Sequence, residues 1–225
     1  MWTTKNYLAK ILGYLFPSRC YICKKEGETI CDKCIKTFPK NIDILPQYII
    51  SVFSFRDEKI KNIIHAIKYY HRKDLIKPLA RELAKKIQDK GYKKQELNEL
   101  TKTNNQLLIT NNCVLIPIPM PTIRKYMRGY NQSELIAKEI SEILSIPMNT
   151  KLLARSRNTK RQVKTFNKAE RVKNQCHSFK IIGDVSNLNI ILVDDVTTTG
   201  ATINEAKNIL LEYKAKEVRA ITIAH

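Results

Sequence analysis

Apolar and polar positions follow two kinds of pattern along the chain. Near the N-terminus, Tyr7, Leu8, Ile11, Leu12, Leu15 and Phe16 recur at the spacing of one helix face, so residues 1–16 are expected to form a short amphipathic helix. With Lys5 and Lys10 on its polar side, that face either packs on its own domain or docks on a membrane surface or a partner. Residues 48–55 (YIISVFSF) read as a strand, and residues 58–90 carry two helical patterns, IKNIIHAIKYY and DLIKPLARELAKKI. The stretch KKQELNELTKTNNQLLITNN is polar, Asn-rich and without a steady period, which reads as a loop or inserted linker.

The second half alternates. CVLIPIP (113–119) is a buried-strand run, and residues 131–144 (NQSELIAKEISEIL) form an amphipathic helix that Asn131 or Ser133 would cap. NIILVDD (189–195) is a continuous apolar run ending in two acids. Residues 201–213 are helical, and EVRAITIAH closes the chain as a strand. Strands that are apolar on every residue, alternating with helices, predict an α/β fold whose parallel sheet is covered on both faces. No internal repeat is present.

Composition narrows the classes. The chain has 225 residues, enough for one large domain or two small ones, and 43% of them are apolar, which excludes a mainly disordered protein. No apolar run approaches the ~18 residues of a membrane span. Residues 7–16 are too short for a secretory signal, contain Lys10 and lack a small-residue cleavage site, so a reducing cytoplasm is expected. Lys and Arg total 40 against 21 acids, a net charge of +19 that points to a polyanionic partner: nucleic acid, a phosphorylated metabolite or an acidic membrane. Residues 151–180 hold ten cations and one acid, and residues 59–94 hold twelve cations and three acids. One pyrophosphate does not need that much charge, whereas a polynucleotide gains affinity with each phosphate contact. Phe166 within the first stretch, and Tyr69 and Tyr70 beside His71, Arg72 and Lys73 in the second, could stack on the bases of a single strand. The competing explanation, a lysine-rich solvated helix face, suits 59–94 better than 151–180.

Four of the six cysteines, Cys20, Cys23, Cys31 and Cys34, are spaced C-x2-C-x7-C-x2-C. Each pair can present two thiolates to one metal, and the two pairs together complete a tetrahedral, all-sulfur Zn²⁺ site. A redox pair has no reason to be duplicated, and disulfides conflict with a reducing compartment. Such a closed site is structural, holding a knuckle too small to fold alone. Cys113 and Cys176 read as ordinary thiols.

The segment IILVDDVTTTGAT (190–202) carries the most chemistry. An apolar strand delivers Asp194 and Asp195 to its C-terminal end, where ligands bind in parallel sheets. The turn formed by Thr197, Thr198, Thr199, Gly200, Ala201 and Thr202 then opens a helix whose N-terminus, N–H groups and hydroxyls suit a phosphate. Two acids beside a phosphate cradle suit a sugar phosphate, with the acids on the ribose hydroxyls. No GxxxxGK[ST] loop occurs.

This segment resembles the 5-phosphoribosyl-1-pyrophosphate (PRPP) motif of type I phosphoribosyltransferases. Together with LIPIPMPTIRKYMRGYNQSEL (115–135), RSRNTKRQVKTFNKAERVKN (155–174), IIHAIKYYHR (63–72) and the four-cysteine knuckle, the chain resembles the ComF family, which joins a zinc ribbon to a phosphoribosyltransferase-like domain and is associated with natural competence. The resemblance implies a knuckle region at 1–44 and a phosphoribosyltransferase-like domain at 45–225 with an insertion near 93–112. It implies that Pro119, Met120, Arg124, Lys125, Arg128 and Gly129 flank the pyrophosphate, with Mg²⁺ bridging its oxygens. It also implies that Arg155, Arg157, Lys160, Arg161, Lys164 and Arg171 belong to a lid over the site, while the charge offers them as single-stranded DNA contacts, in place of the lid role or together with it.

Three functions follow. One is the handling of single-stranded DNA in natural transformation, at the cytoplasmic face of the membrane, with a retained PRPP and Mg²⁺ site. Another is a catalytic phosphoribosyltransferase, for which no hood segment or acceptor-base pocket is recognisable in the sequence. The third is a zinc-knuckle scaffold for proteins of the competence machinery.

Overall fold

The computed structural model describes residues 17–89, 113–156 and 178–225. The helix expected at 1–16, the Asn-rich insertion, Cys176 and the lid residues Arg157, Lys160, Arg161, Lys164 and Arg171 lie outside these. In chain order the elements are α1 (Asp32–Lys36), β1 (Ile49–Phe53), α2 (Glu58–Tyr69), a 3-10 turn (Lys73–Leu75), α3 (Ile76–Asp89), β2 (Cys113–Pro117), α4 (Thr122–Arg128), α5 (Gln132–Leu144), β3 (Leu153–Arg155), β4 (Phe179–Ile181), β5 (Asn189–Val196), α6 (Ala201–Glu212) and β6 (Glu217–Ala224).

Four strands make one parallel sheet in the order β1-β6-β5-β2. Its apolar residues divide by the two-residue period of a strand: Ile191 and Val193 join the core on one face, Ile190 and Leu192 the core on the other. This double burial is why β5 needs no polar alternation. The first face is covered by α2, α3 and α5 through Ile63, Leu83 and Ile136. The second is covered by α6, through Ile203 and Leu210, and by Leu153 and Phe179 of an antiparallel ribbon formed by β3 and β4. The sequence patterns of the sheet strands and long helices match these elements, while α1, α4 and the β3–β4 ribbon had no counterpart among the expectations.

The cysteine knuckle is joined to the first core. Its Ile30, Ile35 and Phe38 are buried with α2 and α3, and the Phe38 ring meets Phe53 of β1 edge-on at 5.6 Å. Arg81 of α3 pairs with Glu28 at 2.9 Å, and the Thr29 hydroxyl donates to the Asp74 carbonyl at 3.1 Å.

Candidate phosphoribosyl site and cysteine centre

The carboxyl edge of the sheet exposes the acids by a difference in strand length. β2 ends at Pro117, opposite Val193, so Asp194 and Asp195 of β5 lie beyond that neighbour while β5 stays paired with β6. Each acid is steadied by the backbone that follows it: Asp194 Oδ1 accepts from the Asp195 N–H at 2.9 Å, and Asp195 Oδ1 from the Val196 N–H at 2.8 Å. Two further residues complete the pair. The Ser133 hydroxyl of α5 donates to Asp194 Oδ1 at 2.8 Å, and Lys68 Nζ of α2 lies 2.8 Å from Asp195 Oδ2. Removal from water and the neighbouring Asp195 push Asp194 up to about 7, against the opposing pull of Ser133, the Asp195 N–H and Lys68.

Sequence reasoning missed Lys68, and of its two capping candidates, Asn131 and Ser133, the structure uses Asn131. Asn131 is the cap of α5, its side chain accepting from the Ser133 N–H at 3.2 Å, which leaves the Ser133 hydroxyl for Asp194. The IIHAIKYY segment, read in the sequence for its two tyrosines and not for Lys68, is α2, and its last turn crosses the edge of the site. Tyr130 donates its hydroxyl to the Ile67 carbonyl, Lys68 reaches Asp195, and the Arg128 guanidinium lies over the Tyr69 ring at 5.0 Å. A roof over the acids therefore comes from a segment far upstream of them in the chain.

The turn after β5 has a buried start and an open tip. Thr197 is buried, and its N–H is taken by the Ala224 carbonyl at 3.1 Å. Thr198, Thr199 and Ala201 are exposed, Thr202 and Gly200 partly so. Gly200 caps α6 with φ +72°, a left-handed conformation that glycine adopts without strain. α6 has no acid in its first turn, so its N-terminal end keeps its attraction for an anion.

The cations expected at the pyrophosphate, Arg124, Lys125 and Arg128, lie on a helix. After Pro117, Pro119 and Pro121 the chain winds into α4, stopped by Gly129 at φ +74°. Arg128 donates to Gln132 at 3.3 Å, next to Ser133, while Lys125 lies 3.9 Å from Glu134. Arg124 is close enough to Arg155 to lower its affinity for a proton, and Arg155 in turn feels Asp194 and Glu205. Arg155 is held inward: its Nε donates to the Pro119 carbonyl at 3.0 Å and its guanidinium lies over Phe179 at 4.6 Å. Burial lowers its pKa, the two acids opposing. Pro119, Met120 and Gly129 lie along the same connection from β2 to α5.

The four cysteines converge. The sulfurs of Cys20, Cys23, Cys31 and Cys34 all lie within 4.8 Å of one another, and those of Cys23 and Cys31 are 3.7 Å apart. A tetrahedron built on Zn–S bonds of ~2.3 Å has sulfur edges of about 3.8 Å, so this donor set fits the ion. Without a cation the thiols cannot all ionise together. Burial raises Cys20, but the N–H groups of Cys31, Cys23 and Ile22 outweigh it and bring it down to about 6; burial and the other three sulfurs push Cys34 up to about 12. Cys113 is a buried thiol apart from this centre, raised to about 11 by burial. Among the described residues, no helix is long and apolar enough to cross a membrane.

Residues 130–225 match the phosphoribosyl transferase domain family. Competence protein F of Haemophilus influenzae is 26% identical over 199 residues, covering 86% of this chain and 77% of that protein. DNA utilization protein YhgH of Salmonella typhimurium is 24% identical, covering 90% of this chain and 95% of its own length. Competence protein ComFC of Bacillus subtilis is 35% identical over 127 residues, covering 56% of this chain and 50% of that one. Among solved structures, the allosteric regulatory enzyme of purine biosynthesis superposes with a TM-score of 0.41 and 20% identity over 65% of this chain, which spans 25% of that enzyme. With a four-cysteine cluster ahead of a parallel sheet flanked by helices, the chain is similar over most of its length to these competence and DNA utilization proteins.

Proposed function

We propose that this protein handles single-stranded DNA in natural transformation, from the cytoplasmic side of the membrane, and keeps a PRPP site that bears on that task. The observation that carries the reading is the Asp194–Asp195 pair at the carboxyl edge of the sheet, held by Ser133 and Lys68 and followed by an open hydroxyl turn at a helix N-terminus. Asp194 and Asp195 accept hydrogen bonds from the ribose hydroxyls. The 5-phosphate lies against Thr198, Thr199, Gly200, Ala201 and Thr202, with Thr197 anchoring the base of the turn. Arg124, Lys125 and Arg128 face the pyrophosphate. Mg²⁺, when bound with PRPP, would neutralise its oxygens. Zn²⁺ on the four cysteines is structural.

The DNA part is supported by the names of the relatives, competence and DNA utilization proteins, and by the net charge of +19. Phosphate contacts come from Arg155, Arg157, Lys160, Arg161, Lys164 and Arg171, and proteins of the competence machinery are the partners expected alongside DNA. The N-terminal segment 1–16 would supply contact with the inner membrane.

A transferase with an acceptor base is the second reading, favoured by α2 lying over the acid pair as a hood would. Calorimetric titration of PRPP with Mg²⁺, at fixed ionic strength, separates these ideas. Wild type should bind, and the Asp194→Asn/Asp195→Asn variant should lose PRPP while keeping single-stranded DNA. No binding by wild type would make the motif inherited architecture. Product release from bound PRPP on addition of a free base would favour the transferase.

A further inference from the structure

The last turn of α2 carries more than the contact to the acids. Tyr69 and Tyr70 remain 57% and 67% exposed although they follow directly on Lys68, which is committed to Asp195. They are not isolated rings. His65, one turn earlier, lies 4.6 Å from Tyr69 and 5.4 Å from Tyr70, centroid to centroid. Arg128 rests on Tyr69 and reaches its hydroxyl at 3.4 Å. A tyrosine side chain this exposed forgoes the ~25 cal/mol per Å² that burial of its apolar surface would return. Here two such rings are braced by a histidine and a guanidinium, so they are presented with little freedom left to lose on contact.

The charges around them have one sign. Arg128 and Lys73 have no carboxylate partner among the described residues, Lys73 lying instead over the Tyr130 ring at 4.4 Å. The acid nearest in sequence, Asp74, is taken in a two-point pair by Arg72 at 2.9 and 2.8 Å. Planar rings set among unneutralised cations complement a chain of phosphates carrying accessible bases, and only a single strand offers both.

We propose that Tyr69 and Tyr70 are a base-stacking ledge for single-stranded nucleic acid, with Arg128 and Lys73 on the flanking phosphates, at the rim of the acid pair. This rests on the DNA reading above and adds to it a braced contact surface of stated geometry beside the acid pair.

The two kinds of contact differ in salt dependence. Phosphate contacts release counterions and steepen the fall of affinity with salt, whereas a tyrosine ring releases none. The test is fluorescence anisotropy of a labelled single-stranded oligonucleotide, and of the matching duplex, over a salt series. It compares wild type, Tyr69→Ala/Tyr70→Ala and Tyr69→Phe/Tyr70→Phe, each with its thermal melting recorded. The alanine pair should lose about tenfold in single-strand affinity, the scale of one stacked base, with the salt slope and duplex binding unchanged. The phenylalanine pair should bind like wild type. A folded alanine pair with wild-type single-strand affinity overturns the ledge. So does equal loss on duplex and single strand. Loss of binding to anionic phosphatidylglycerol vesicles with DNA affinity intact would reassign the surface to membrane. Stacking of a free base that the alanine pair loses, with strand binding kept, would reassign it to an acceptor. If wild type binds no single strand at all, the DNA reading itself fails, an outcome distinct from failure of the ledge alone.

Discussion

Lys68 and Asp195 lie 127 residues apart in sequence and 2.8 Å apart in space, with only 23% and 14% of their side chains exposed. This pair fixes the roof helix α2 to the acid end of β5, and it places a cation beside two adjacent carboxylates. Without it Asp195 would face Asp194 uncompensated.

Lys68→Met should therefore destabilise the fold by about 1–3 kcal/mol at pH 8, the cost of leaving a largely buried charge unpaired. The loss should shrink at pH 5, where a proton on Asp194 leaves one carboxylate instead of two beside the missing ammonium. Denaturant melts at the two pH values measure this. A loss independent of pH would mean that the lysine acts through packing alone.

Asp194 binds a proton more tightly in the folded chain, with a value of about 7, than in the unfolded chain, where an aspartate titrates near its ordinary value. Stability contributed by this group is thus full at low pH and declines as the pH rises through the weakly acidic range to about 7, levelling off above. Asp194→Asn keeps an oxygen to accept from Ser133 and removes the titration. It should be more stable than wild type at pH 8 and should flatten the pH dependence between pH 5 and 7 in thermal melts.

The knuckle contributes Ile30, Ile35 and Phe38 to the core shared with α2 and α3. One zinc ion per chain is expected by atomic absorption. Stripping it with a chelator, or Cys31→Ser, should lower the melting temperature by several degrees, since ~1 kcal/mol corresponds to about 2–4 °C at this size. A zinc-free chain with an unchanged melting temperature would remove the structural role.

Gly200 sits at φ +72°, and a Cβ there would come 3.4 Å from Ile49 Cδ1, which is ordinary contact. Gly200→Ala should cost about 1–2 kcal/mol through backbone strain rather than collision. It should weaken phosphate binding at the turn as well, read by titration with ribose 5-phosphate.

The sheet was readable because its strands are buried on both sides. Ile190, Ile191, Leu192 and Val193 form an unbroken apolar run, and no solvent-facing strand would carry one. The cysteine cluster and the Asp194–Asp195 turn were readable for another reason: their ligating groups are close in sequence, so spacing alone brings them together. α4 escaped notice because its seven residues, TIRKYMR, bury nothing and so leave no apolar stripe facing a core. The β3–β4 ribbon escaped because three-residue strands are too short to display a period.

By itself, the sequence determined the parallel α/β class, the four thiols and the acid-ended strand with its hydroxyl turn, all properties of periodicity and local spacing. Only the tertiary structure decided that Lys68 closes on Asp195 and that Ser133 serves Asp194 rather than a helix end. Those contacts join segments separated by 60 residues or more in sequence, Ser133 to Asp194 being 61 apart. They exist because β2 is shorter than β5 and α2 crosses the edge it leaves open, a matter of how the layers pack rather than of any local pattern.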